Sequence, residues 1–217
     1  PGIHTIEAQV DRSDYVEEEP DWPNWNLISF STQGFEEVID ADFDAGSEGL
    51  TYADDVFLGT NEPDYADGQH VSSGGYLGGA LQVEVGAING NDYDIDDMSG
   101  GWQLGVNLDA PKSLEISFRY NLTQSPGYES NEYSQVLMAV DGSLYGDACS
   151  GGVGCVAEIT GDGEGGDSLS TGWRTFEVRV GPLAAGDHTI TIGGYNNRKT
   201  YRDEYTTILI DDLEVQE

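Results

Sequence analysis

Apolar and polar residues alternate with a period of two through most of this chain, the pattern of half-buried β-strands. Leu81, Val83 and Val85 alternate with Gln82 and Glu84. Trp102, Leu104, Val106 and Leu108 alternate with Gln103, Gly105, Asn107 and Asp109. Leu114, Ile116, Phe118 and Tyr120 do the same against Glu115, Ser117, Arg119 and Asn121. Residues 176–180, 189–192 and 207–215 predict three more strands. Residues 135–140 are apolar on both faces and predict a strand buried on both sides. The Asp141-Gly142 pair that follows is a hairpin turn, because glycine takes a positive φ at no cost. Near the start, residues 39–44 set Asp40, Asp42 and Asp44 on one side of a strand and Ile39, Ala41 and Phe43 on the other.

Residues 48–79 read as loop, punctuated by Asn61-Glu-Pro63, Asp67-Gly68 and Ser72-Ser-Gly-Gly75. No apolar stripe of period 3.6 is sustained, no repeat of 20–50 residues occurs, and the 30 glycines argue against long helices. The expectation is an all-β domain over residues 35–217: a two-sheet antiparallel β-sandwich of jelly-roll type. Residues 1–34, with Trp22 and Trp25 among acids and prolines, read as an N-terminal arm or linker, the two tryptophans being packing residues or a sugar platform.

Charge changes the picture most. The 217 residues carry 41 acids against 8 Lys and Arg, a formal charge of −33. Nucleic acid is excluded as a partner, since there is no basic footprint to displace phosphate counterions, and an anionic membrane surface is disfavoured. No apolar run nears the roughly 18 residues that span a bilayer. A chain this acidic suits saline surroundings, where screening weakens self-repulsion. It starts at Pro1 without a signal-peptide pattern, which reads as a processed protein or a module of a larger chain. Cys149 and Cys155 enclose five residues that can close a disulfide, as in an oxidising, secreted setting. Two free thiols in a reducing cell are the alternative.

Against that acid background, Arg198, Lys199 and Arg202 lie within five residues, among Tyr195, Tyr201, Tyr205, Asn196 and Asn197. Either the cations meet an external ligand or they offset local acids; the first is the expectation. Aromatic faces with amide, carboxylate and guanidinium groups are the chemistry of sugar binding. A second stretch, residues 120–135, supplies Tyr128, Glu129, Glu132, Asn131 and Tyr133. Trp102 and Arg119 join these as candidate ligand-binding residues, Arg119 also being able to pair with a nearby glutamate. Clustered cations would suit a uronate or sulfate group, whereas the amides and Glu129 would serve a neutral sugar equally well.

Metal is the second candidate chemistry. If the first and last strands are neighbours, Asp42 and Asp44 meet Asp211 and Asp212, and four converging carboxylates repel unless a cation lies between them. Calcium is the expected ion, since hard divalent cations take several oxygen ligands. Four solvated turn acids are the alternative. Residues 92–97 lack the glycine and glutamate of an EF-hand. Catalysis is the weakest candidate. His70, in Gly-Gln-His-Val, fits a jelly-roll polysaccharide lyase only if Tyr195 serves as acid/base and Arg198 neutralises the uronate. His188 lies in phase with Ile190 and Ile192, as a buried, hydrogen-bonded residue would.

The segments FRYNLTQSPGYESNEYSQVLMAVDG, TGWRTFEVRVGPLAAGDHTITIGGYNN and TTILIDDLEV resemble a module of large secreted proteins of marine bacteria, found beside polysaccharide-degrading and adhesin domains. The broader likeness, over residues 43–215, is to calcium-containing β-sandwich carbohydrate-binding modules, whose last strand often ends in a pattern like Ile210-Asp211-Asp212. The resemblance implies calcium at Asp211 and Asp212, and by extension at Asp42 and Asp44. It implies a non-catalytic module that anchors a secreted enzyme or cell to a marine, algal polysaccharide. A ligand-binding or spacer domain of a calcium-dependent adhesin is the alternative, and a lyase the second alternative.

Overall fold

The structure is a computed structural model, describing residues 37–87, 93–149, 154–163 and 166–217. The readings of Trp22 and Trp25 lie outside the described residues. Among the described residues, thirteen strands run in chain order: β1 Glu37–Ala41, β2 Thr51–Asp54, β3 Ala66–Val71, β4 Ala80–Val85, β5 Ile95–Leu108, β6 Lys112–Gln124, β7 Tyr133–Val140, β8 Ser143–Tyr145, β9 Ala157–Thr160, β10 Leu169–Ser170, β11 Arg174–Leu183, β12 Gly186–Lys199 and β13 Thr206–Gln216.

They form two antiparallel sheets. In the first, β6 lies beside β13 and β13 beside β4, with β3 outside β4. Strand β1 joins the far end of β13, while β10 and β11 line the outer edge of β6. The second sheet runs β2-β5-β12-β7-β8, with β9 continuing the edge of β7. The first and last strands are indeed neighbours, Asp40 standing opposite Glu214 and Ala41 opposite Leu213.

Period-two alternation accounts for the core. On β6, Leu114, Ile116, Phe118, Tyr120 and Leu122 are buried, and the residues between them are half-buried on the outer face. Trp102, Leu104, Val106 and Leu108 of β5 and Ile190 and Ile192 of β12 close the core from the opposite sheet. Residues 134–140 of β7 are buried throughout, because this strand feeds two clusters. Val136, Met138 and Val140 face the main core. Leu137 and Ala139 meet Phe57, Cys155 and Tyr195 on the sheet's other face, with Cys149, disulfide-bonded to Cys155, packed against them. The turn after β7 has Asp141 at φ 50° and Gly142 at φ 77°, the geometry of a two-residue hairpin.

Two strands fall inside the stretch read as loop. β2 is four residues long, and β3, Ala-Asp-Gly-Gln-His-Val, has no apolar alternation because it is an edge strand held by its pairing with β4.

Candidate functional site

One end of the sandwich gathers the finish of β4, β6 and β12 and the start of β5, β7 and β13. The two stretches singled out as ligand-binding meet here. The Asn197 side chain accepts from the Tyr133 amide at 2.6 Å and donates to the Asn131 carbonyl at 3.0 Å. Thr200 donates to Glu129 at 2.8 Å, and Asn196 donates to the Tyr128 hydroxyl at 2.8 Å. Ser134 bridges the sheets, accepting from Gln124 at 2.9 Å and lying 2.6 Å from the Thr206 hydroxyl. This polarity fastens one sheet to the other.

Most of the candidate ligand residues are therefore scaffold. Tyr128 (1% exposed), Glu132, Asn196 and Lys199 (each 0%) and Tyr195 (5%) are buried. Burial pushes the phenols of Tyr128 and Tyr195 up, and the Tyr195 hydroxyl bonds Asp97. Lys199 points Nζ at the carbonyls of Gly86 and Arg202, both at 3.3 Å, and lies 5.4 Å from the Tyr65 ring centre. Arg198 bonds Asp94 and lies 3.5 Å from Asp96, and Asp94 raises its pKa. Of the three clustered cations, two thus offset local acids or cap carbonyls. A strand end leaves backbone groups without ladder partners, and long polar side chains buried there satisfy them.

Trp102 and Arg119 lie elsewhere. Trp102 is 6% exposed in the core, donating to the Gln82 carbonyl at 3.1 Å and meeting Tyr52 edge-on. Arg119 lies on the outer face of the first sheet, bonded to Asp212 at 2.8 Å and stacked 3.8 Å over Tyr76. Alternation gives the face on which a side chain lies, not what covers it, so Trp102 and Arg119 are structural rather than ligand-facing.

What the loop end presents outward is Tyr201 (42% exposed), Tyr205 (41%) and Tyr93 (54%), with the Arg202 guanidinium 5.0 Å from the Tyr93 ring centre. Tyr93 was not legible as a candidate, since it lies in an acidic run remote in sequence from the cations. Beneath these residues, Glu204 pins the loop: its Oε2 accepts from the amides of Thr200 at 2.6 Å and Tyr201 at 2.8 Å. Glu132 Oε2 accepts from the Glu129 amide at 2.8 Å. Burial, then the hydrogen bond shared with Glu129, raises the Glu132 carboxyl to about 7, and burial also raises Glu204. Glycine is required at Gly86, where φ is 126° and a Cβ would come within 2.4 Å of the Glu204 carbonyl.

The four aspartates expected to share a metal do not gather. No three of them bring ligand oxygens within 4.8 Å of one another, and among the described residues only Glu129, Glu132 and Glu204 do so. Asp211 Oδ2 accepts from the Tyr76 amide at 2.7 Å and Oδ1 from the Asp212 amide at 2.8 Å. Asp44 holds the Gly79 amide at 2.9 Å, Asp42 the Asp44 amide at 3.0 Å, and Asp212 holds Arg119. A bulge between Asp211 and Glu214, with Asp212 at φ 47°, turns the neighbouring acids to different partners. Amides and a guanidinium relieve the repulsion that argued for an ion, so these four do not fit calcium as a set.

The residues a lyase would need are also apart. His70 is on β3 of the first sheet, 2.7 Å from the Phe43 carbonyl, whereas Tyr195 and Arg198 are on β12 of the second. A shallow groove of about 340 Å³ on the outer face of the first sheet is lined by Glu115, Glu177, Glu214 and Arg179 among others, with no aromatic residue. His188 is largely covered and bonds Asp141 at 2.7 Å and the Ala184 carbonyl at 2.9 Å.

No protein-family model and no curated protein matches the sequence. Several solved structures are similar. The K1 cleaved adhesin domain of Lys-gingipain from Porphyromonas gingivalis W83 matches at 15% identity and a TM-score of 0.45, over 82% of this chain and 96% of that one. TmCBM27, a carbohydrate-binding module with specific mannan recognition, matches at 17% identity and 0.41, over 84% and 98%. A family 35 carbohydrate binding module from Clostridium thermocellum matches at 13% identity and 0.39, over 82% and 95%.

Proposed function

We propose that this chain is a non-catalytic carbohydrate-binding module that uses the loop end of its sandwich to hold a polysaccharide. The observation that carries this reading is the set of outward-facing tyrosines, Tyr93, Tyr201 and Tyr205, with Arg202 among them, on loops fixed from below by Glu204 and Asn197. Tyrosine rings offer flat apolar faces to the C–H surface of a sugar and hydroxyls to its polar rim at low entropic cost. A pinned loop presents them pre-organised.

The charge balance favours a neutral polysaccharide over a uronate or sulfate. Arg198 is neutralised and Lys199 is buried. That leaves Arg202, which follows Tyr201 and precedes Asp203 in the chain and stacks toward Tyr93, itself followed by Asp94. The Cys149–Cys155 disulfide supports a secreted protein, and the formal charge of −33 supports saline surroundings such as the sea. In that setting the module anchors itself, and any enzyme or cell joined to it, on algal polysaccharide, raising local concentration.

The test is affinity gel electrophoresis on a panel of neutral and anionic polysaccharides. Retardation by a neutral member is expected, and the Tyr201→Ala/Tyr205→Ala double variant should lose roughly tenfold or more in affinity, since hot-spot truncations cost over about 1 kcal/mol each. Free migration of the parent on every gel, or unchanged binding by the double variant, would refute the reading.

A further inference from the structure

Below the tyrosine-bearing loop, the ligand oxygens of Glu129, Glu132 and Glu204 lie within 4.8 Å of one another. Glu132 and Glu204 are 0% and 1% exposed. Each uses one oxygen well: Glu132 Oε2 takes the Glu129 amide, and Glu204 Oε2 takes the amides of Thr200 and Tyr201. The other oxygen of each, Oε1, is buried and accepts no hydrogen bond. A buried carboxylate oxygen without a donor is costly, because it forfeits its hydration. Arg198 pairs with Asp94 and Asp96 and Lys199 donates to two carbonyls, while both also act electrostatically on the cluster, Lys199 on Glu204 and Arg198 on Glu129 and Glu132.

We propose that Glu129, Glu132 and Glu204 bind one calcium ion, which ties the 127–132 segment to the 200–205 loop. A donor set of carboxylate oxygens without histidine or cysteine selects a hard cation over zinc or copper. Burial selects calcium over magnesium, because magnesium dehydrates reluctantly and keeps several waters, whereas calcium takes protein oxygens in a flexible geometry. The spacing suits calcium too: oxygens on opposite sides of that ion stand up to about 5 Å apart, and the three glutamates fall within that span. The ion would supply the charge that both Oε1 atoms lack. This site is separate from the four aspartates, and it stands whether or not the loop above binds a sugar.

The experiment is calorimetric titration of the full chain, stripped with a chelator, with calcium chloride and separately with magnesium chloride. Calcium is expected to bind and to raise the melting temperature, and magnesium to bind at least about tenfold more weakly. Glu204→Gln and Glu129→Gln are expected to weaken that calcium binding at least about tenfold, the scale seen when even supporting residues of metal sites are removed. Asp211→Asn should leave it intact. Glu129 lies at the surface side of the cluster, so Glu129→Gln decides the matter if circular dichroism shows the other variant unfolded. Absence of calcium binding, or unaltered binding by Glu129→Gln, overturns the proposal. So does binding abolished by Asp211→Asn but kept by the glutamate variants, which would move the ion to the aspartates.

Discussion

Two loops of this molecule are built alike and differ in one oxygen. The 74–79 loop lies over the first sheet, and buried Asp211 accepts from the consecutive amides of Tyr76 at 2.7 Å and Leu77 at 3.4 Å. The 200–205 loop closes one end of the sandwich, and buried Glu204 accepts from the consecutive amides of Thr200 and Tyr201. Beneath the first, the second carboxylate oxygen is satisfied by the Asp212 amide. Beneath the second, it accepts no hydrogen bond. On top, exposure does not separate them, since Tyr76, Tyr201 and Tyr205 are each about two-fifths exposed. The ring face of Tyr76 is taken by the Arg119 guanidinium at 3.8 Å, and Trp173 meets the ring edge-on at 6.0 Å. The first assembly is a finished structural knot. The second is where the proposed ion and the proposed sugar site lie.

The largest expected effect breaks the knot. Asp211→Asn must set an NH₂ group against a backbone N–H, since both Asp211 oxygens accept. It should cost about 3 kcal/mol, the scale for hydrogen bonds to a buried charged group, with or without calcium, as read by urea denaturation. Glu204→Gln should behave differently. The single oxygen of the substituted side chain can still accept both loop amides, and its NH₂ replaces an oxygen that accepts no hydrogen bond. In chelator the variant should therefore be about as stable as the parent. With calcium at 100 times the parent's dissociation constant, a variant that binds tenfold more weakly should trail the parent by about 1.3 kcal/mol, and one that no longer binds by about 2.7 kcal/mol, the linkage stabilisation forgone. Equal losses under both conditions would contradict the comparison.

A smaller effect concerns Arg202. Arg202→Ala should reduce polysaccharide affinity a few-fold and lower the melting temperature by at most about 4 °C, because this exposed cation–π contact with Tyr93 is worth about 0.5–1 kcal/mol. The smallest effect lies at the opposite end of the sandwich, where Asp141 raises the pKa of His188 and His188 lowers that of Asp141. A raised histidine stabilises the fold below its ordinary pKa of about 6.5, and that contribution is lost as pH rises through the shifted value. A lowered aspartate stabilises it above about 3.9, with loss as pH falls through its own shifted value. The melting-temperature advantage of the parent over His188→Gln should therefore be full between those two ordinary values and shrink on either side.

The sandwich itself was legible, because alternation on β6, β5 and β13 reports burial directly, and β7's double-sided apolarity predicted a strand buried on both faces, the second of which the cluster around Phe57 and Tyr195 covers. β3 was not legible, its pairing with β4 being carried by backbone rather than by side-chain pattern. At the site, the 120–135 and 193–205 stretches were legible as candidates from their composition, and the hydrogen bonds between them are what the structure adds. The fate of each residue was not. Lys199, Asn196 and Glu132 have the composition of a binding surface but are spent on strand-end carbonyls and amides. No local pattern distinguishes a carboxylate that meets an amide from one that does not. Glu204 holds the loop, yet nothing in its sequence neighbourhood marks it for that role.

The most direct test of a sugar-binding loop end compares the two loops in a single titration with a neutral polysaccharide that the parent binds, followed by calorimetry. Tyr201→Ala/Tyr205→Ala is predicted to lose roughly tenfold or more in affinity while Tyr76→Ala binds like the parent. Loss of binding on Tyr76→Ala, with the double variant unaffected, would contradict that prediction and place the ligand on the face of the first sheet.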